Sequence, residues 1–136
     1  IIGAGSTTAR IMERLGLTPT LLGVDVVRNG EVLARNADEW TLFALLERYP
    51  RAKIIVSPIG AQGFVLGRGN QQISPAVLRR AGLSNLIVVA TPGKLQATPV
   101  LYVDTGDPAL DREVGETLLV VSGYRLGQRK RVVHAD

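Results

Sequence analysis

The chain has 136 residues, of which 46% are apolar and 21% charged, the composition of a globular protein rather than a disordered segment. At this length roughly 68% of the unfolded surface is buried on folding. Cysteine is absent and His134 is the single histidine, which excludes disulfides and thiolate chemistry and argues against a multi-histidine metal centre or a Ser-His-Asp triad. No residue is therefore assigned to a metal. There is no run of about 18 apolar residues and no secretory signal pattern, so the expectation is a cytoplasmic protein with no membrane partner. The formal charge is +4, but Arg125, Arg129, Lys130 and Arg131 against Asp136 account for +3 of it. A basic tail on a near-neutral body gives no ground for a nucleic-acid partner. That tail reads as an exposed strand protected from edge pairing by charge, or as a strand that pairs across a homo-oligomer interface.

Ile1-Ile2 reads as the end of a strand in progress, and suggests a domain excised from a larger protein. Gly3-Ala4-Gly5-Ser6-Thr7-Thr8 leads into a helix with Ser6 or Thr7 as N-cap and Ala9, Ile11, Met12 and Leu15 on its apolar face, stopped by Gly16. Leu21–Val27 is a predicted strand interrupted by Asp25. Asn29-Gly30 predicts a hairpin into Glu31–Ala34. Asn36 to Glu39 has capping-box spacing with Asn36 at the cap. The helix 40–49 that follows places Trp40, Phe43 and Leu46 at apolar positions and ends before Pro50.

Ala52–Ser57 is a predicted buried strand and 58–73 a long glycine-rich loop. Ser74-Pro75 opens a short helix that ends at Gly82. Strands follow at Leu86–Thr91 and Val100–Asp104, with Thr91-Pro92-Gly93-Lys94 as a loop between them. Asp107-Pro108 caps a helix through Val114, and Leu118–Ser122 with Arg129–Val133 form a hairpin around Gly127. Strands alternating with helices, with solidly apolar central strands, predict an α/β fold: a mixed, mostly parallel sheet with flanking helices and one or two hairpins. The alternative is α+β with a β-rich sandwich. Residues 1–136 are expected to form one domain.

Two glycine-rich segments carry candidate chemistry. In Gly3–Thr8 the glycines let the backbone approach an anion, the helix N–H groups point at it, and Ser6, Thr7 and Thr8 add hydroxyls. A tight turn with a hydroxyl cap is the bland alternative. The second segment holds Gly60, Gln62, Gly63, Gly67, Arg68, Gly69, Asn70 and Gln71. Its length favours function; Arg68 suits a phosphate or carboxylate, and the amides of Asn70 and Gln71 suit a base edge or ribose. Asp25 and Asp104 are weak catalytic candidates, Asp25 more as a buried hydrogen-bonded carboxylate. Asp107 reads as a helix cap and Lys94 as a solvated lysine. If the strands before Gly3, Pro58, Pro92 and Thr105 are parallel, the loops after them share one sheet edge, where open α/β sheets bind ligands.

Taken in order, Gly3–Thr8, Leu22–Val27, Ser57–Pro75, Val88–Pro92 and Val103–Asp107 resemble the carboxyl-terminal part of the predicted ATP-NAD kinase and inorganic polyphosphate/ATP-NAD kinase family, in its less characterised branch. The Gly67-Arg-Gly-Asn-Gln-Gln72 stretch is the specific element. The resemblance implies phosphoryl transfer from ATP or polyphosphate to the 2′-hydroxyl of NAD, with Mg²⁺, and a small-molecule nucleotide as partner. It also implies that Gly60, Gly63, Gly67, Arg68, Gly69, Asn70 and Gln71 hold the nucleotide while Gly5 to Thr8 take phosphate. Related kinases carry a Gly-Gly-Asp-Gly motif with the catalytic aspartate in an amino-terminal domain, and this chain lacks it, so the segment alone is expected to be inactive. The better-known kinases also have a β-rich second domain, whereas helices are expected here. Two other readings stand beside this one: a sugar-phosphate isomerase-like or ligand-sensing phosphate-binding domain, and a non-catalytic assembly domain.

Overall fold

The structure, a computed structural model, describes residues 1–134. Its helices are α1 (Ser6–Arg14), α2 (Glu39–Arg48), α3 (Pro75–Ala81), α4 (Pro92–Ala97) and α5 (Pro108–Val114). Its strands are β1 (Val26–Arg28), β2 (Glu31–Ala34), β3 (Ile54–Val56), β4 (Phe64–Leu66), β5 (Leu86–Val89), β6 (Leu101–Val103), β7 (Thr117–Gly123) and β8 (Leu126–His134). β1 and β2 form a separate antiparallel pair, and the other six strands make one sheet in the order β3-β5-β7-β8-β6-β4. Every neighbouring pair in that sheet is parallel except β7 with β8. The fold is the expected mixed, mostly parallel α/β sheet with flanking helices and hairpins.

The single antiparallel junction sets the geometry. β3, β5 and β7 run one way and β8, β6 and β4 the other. β8 joins them by pairing its first part with β7 and its last residues, Val132 to His134, with β6. Ile2 extends the first set, bridging parallel to Ile55 and antiparallel to Asp25.

Apolar side chains of both strand sets and of the helices share one core. Ile54, Val56, Leu66, Leu101, Val103 and Val120 are fully buried in the sheet, and Leu42, Leu46, Val77 and Leu110 meet them from the helices. Each such burial contributes about 1.5–3 kcal/mol. Helix ends follow local chemistry: Asp38 accepts from the Thr41 N–H at 2.8 Å, and Ser74 from the Val77 N–H at 3.3 Å. Asp107 accepts from the N–H groups of Ala109 and Leu110, and Arg79 of α3 pairs with its carboxylate at 3.0 Å.

Several local expectations change. The α2 cap is Asp38, not Asn36, whose φ of 48° places it in a left-handed turn. Trp40 is 79% exposed, and Leu42 and Leu46 are the buried positions of that helix. The expected strand from Leu21 shrinks to Val26–Arg28, because the preceding residues turn around the Asp25 carboxylate. That carboxylate is 2% exposed, with Oδ2 accepting from the Thr20 N–H at 2.8 Å and Oδ1 from the Asn36 N–H at 2.9 Å. The long loop contains β4, the 91–94 loop is the start of α4, and the last hairpin turns at Tyr124-Arg125 rather than Gly127.

Gly67 has φ 96°, and a Cβ there would lie 1.8 Å from the Asp104 carbonyl oxygen. Gly60, at φ 73°, faces open space. Gly67→Ala is therefore expected to cost more than about 2 kcal/mol, and Gly60→Ala only the left-handed penalty of about 1–2 kcal/mol. Urea unfolding midpoints measure both, and equal losses would contradict this packing. Asp25→Ala strands two backbone N–H groups and is expected to cost about 2–4 kcal/mol by the same measurement.

The hydrogen bond from Arg79, aided by the Leu110 N–H, holds the Asp107 carboxyl below the ordinary aspartate value of 3.8. Its contribution to stability is present above that ordinary value and is lost as pH falls through the lowered one. Arg79→Ala is expected to return the Asp107 titration toward the ordinary value, read by NMR of the carboxyl carbon.

Candidate functional site

The opposed strand sets divide the candidate loops. Those after Ile2, β3 and β5 line one cleft: Gly5, Ser6, Thr7 and Arg10 from the first, Ser57 to Gly60 from the second, Thr91 and Lys94 from the third. Its volume is about 510 Å³. The loops after β4 and β6 line a second, smaller depression of about 340 Å³, with Gly67, Arg68, Gln71, Asp104, Thr105 and Gly106 among its walls. The candidate residues thus form two groups rather than a single edge. Asp25 lines neither.

The first cleft gathers hydrogen-bond donors and cations. Gly5, at φ 121°, turns the chain from the sheet into α1, and no side chain caps that helix. The first-turn N–H groups therefore stand without an intrahelical or side-chain acceptor, at the positive end of the helix. Ser6 is exposed and Thr7 half-buried. Thr8 is turned inward, fully buried, its hydroxyl donating to the Gly5 carbonyl at 3.1 Å, so it braces the turn rather than facing a ligand. Arg10 lies one helical turn beyond Ser6, on the same face. Across the cleft, Thr91 caps α4 by accepting from the Lys94 N–H at 3.1 Å, and Lys94 Nζ donates to the Gly60 carbonyl at 2.7 Å. Two cations and a helix terminus face this space, and no Asp or Glu lines it. The chain offers Mg²⁺ no carboxylate there, and among the described residues no group of three or more His, Asp or Glu side chains is placed to hold a metal ion.

Arg10 escapes a reading based on glycine patterns. The signal for it was the four-residue spacing from Ser6 on the helix. Lys94 was visible only as a turn lysine, because a helix of six residues at Pro92–Ala97 leaves little periodic trace.

Beyond Gly60, the glycine-rich stretch lies behind this cleft. Asn70 is fully buried, and its Oδ1 accepts from the Ala4 N–H at 2.9 Å. A Cβ on Gly3 would be tight, 3.2 Å from each of Asn70 Oδ1, the Ile55 carbonyl oxygen and Val56 Cγ1. Gly69 makes room for Ile59, a wall residue of the cleft, and Gly63 for Thr98, whose methyl would lie 2.4 Å from an added Cβ. Gln62 is exposed beside Gly63 and lines neither space.

The second depression is held by backbone and a buried acid. Asp104 N–H donates to the Leu66 carbonyl at 3.1 Å, and buried Asp111 accepts from the Thr105 N–H at 3.1 Å and from its hydroxyl at 2.5 Å. Arg68 lies over the Phe64 ring, 4.8 Å from its centroid, and the Asp104 side chain is exposed.

No helix among the described residues is long and apolar enough to cross a membrane. Comparison with curated proteins and with solved structures finds no match. A model of the ATP-NAD kinase C-terminal domain matches residues 1–132. That span runs from the strand before the Gly3–Thr8 turn to the final strand of the sheet and takes in both clefts; the chain belongs to the ATP-NAD kinase C-terminal domain family.

Proposed function

We propose that the cleft at the start of α1 holds the phosphates of a nucleotide, and that the chain is the nucleotide-binding carboxyl-terminal portion of an NAD kinase-like enzyme. The observation that carries this reading is an uncapped helix N-terminus facing Arg10 and Lys94 with no carboxylate in the walls. Phosphate at a helix N-terminus gains from the free N–H groups and the dipole together, and flanking cations add charge-assisted hydrogen bonds. Gly5, Ser6, Thr7 and Gly60 contribute backbone and hydroxyl donors close to the ligand. Gly3, Gly63, Gly69 and Asn70 act behind them as packing.

In the reaction implied by the family, the NAD 2′-oxygen forms a bond to the γ-phosphorus of ATP. The bridging bond to the β-phosphate breaks, ADP leaves, and the hydroxyl proton passes to a base. The family implies ATP and NAD as substrates, and polyphosphate is proposed as a second donor. The cleft contains neither carboxylate nor histidine, so the base is proposed to come from outside this chain, and the chain's share is positioning and charge stabilisation. Mg²⁺ would likewise take its protein ligands elsewhere.

Isothermal titration with NADP⁺ and with ADP tests the assignment. Arg10→Ala and Lys94→Ala are each expected to weaken binding about tenfold, the effect of losing one charge-assisted hydrogen bond. Arg68→Ala, in the second depression, is expected to leave it within about twofold. Loss of binding in Arg68→Ala with none in the other two would place the phosphates in the wrong cleft.

A further inference from the structure

A cavity of about 580 Å³ lies apart from both clefts. It is walled by the β1–β2 pair, the last turns of α1 and α2, and the Ile1–Ile2 and β3 strands. Ile2, Ile11, Leu15, Leu33 and Leu45 make its walls apolar. Leu15 and Leu33 are 51% and 38% exposed at its mouth, an apolar surface that is covered only if something fills the space. The volume falls in the range of small-molecule sites.

The rim has one sign of charge. Arg28, Arg48, Arg51 and Lys53 surround the cavity, and no Asp or Glu lines it. None of the four has a carboxylate partner among the described residues; the ion pairs there belong to Arg79. Arg28 and Arg48 are instead held over the Tyr49 ring, 4.8 and 5.5 Å from its centroid. A π-face steadies a guanidinium without occupying its N–H groups, which leaves them able to bind a carboxylate or phosphate fork. An apolar pocket with a cationic rim and no acidic wall residue matches a ligand with a hydrocarbon body and one anionic end.

We propose that this cavity binds a free acyl-chain anion, the chain against Ile11, Leu15 and Leu33 and the carboxylate among Arg28, Arg48 and Arg51. The site stands independently of the phosphate cleft, because the two share α1 but no wall residue.

Dodecanoate, titrated below its micelle concentration and followed by calorimetry and by amide NMR shifts, tests this on the full chain. One saturable site is expected, with shifts confined to α1 beyond Arg10, the β1–β2 pair and residues 45–55. Neutral dodecyl maltoside at the same concentration is expected to bind at least tenfold more weakly. Arg48→Gln/Arg51→Gln, both exposed, is expected to weaken dodecanoate at least tenfold. Leu15→Gln/Leu33→Gln, also at the mouth, is expected to do the same while NADP⁺ binding stays within twofold. Equal affinity for the neutral amphiphile, indifference to both double variants, or binding to anionic phosphatidylglycerol vesicles without binding of monomeric dodecanoate would each overturn the proposal.

Discussion

Asn70 and Ala4, sixty-six positions apart, are joined by a buried hydrogen bond of 2.9 Å, and the arrangement of the candidate site depends on it. The bond ties the glycine-rich stretch after β4 to the turn that launches α1. Breaking it would leave a backbone N–H unpaired in the interior, a cost of about 1–3 kcal/mol, at the residue that sets the aim of the uncapped helix. The side-chain-free positions around it follow from the same closeness. Gly3 accommodates Asn70, Gly69 accommodates Ile59, and Gly67 accommodates the Asp104 carbonyl. These glycines are surrounded by the protein's own atoms, and Gly67 admits no side chain at all without moving backbone. Of the glycines in the long segment, Gly60 lines the first cleft and has no neighbouring atom where a side chain would go.

The second organising fact is the sense of the strands. A fully parallel sheet would gather every strand-following loop on one edge. Here β7 and β8 pair antiparallel, so Gly5, Gly60 and Lys94 meet in one place while Arg68 and Asp104 meet in another. One strand reversal thus sorts residues that are close in sequence, such as Gly60 and Arg68, into separate sites with different chemistry. The first has cations, hydroxyls and free N–H groups. The second has a stacked guanidinium opposite an exposed carboxylate.

Much of this was legible in the chain because it was local. Ser74-Pro75 and Asp107-Pro108 announce helix starts, Asn29-Gly30 announces a hairpin, and each stands where expected. The apolar runs at Ile54–Val56 and Leu101–Val103 announce buried strands for the same reason. What was not legible was non-local. The hairpin of β7 and β8 was expected, but the parallel pairing of β8 with β6, which reverses the second strand set, joins segments about thirty residues apart. The inward turn of the Thr8 hydroxyl and the grip of Asp25 on Thr20 and Asn36 depend on how the surrounding fold closes. Trp40 shows the complementary failure. Its place in an apolar pattern marks it for the core, yet the α2 face carrying Leu42 and Leu46 is the one that meets the sheet.

In the proposed arrangement an anion sits in the α1 cleft against Gly60, while the glycine-rich residues from Gly63 to Asn70 support the cleft without touching the ligand. A ¹⁵N NMR titration with inorganic tripolyphosphate reads this most directly. Saturable shifts of the Ser6, Thr7, Gly60 and Lys94 amides, with Arg68 and Gln71 unmoved, are the predicted result. Shifts centred on Arg68, Gln71 and Gly106, with the amides at the start of α1 silent, would contradict it.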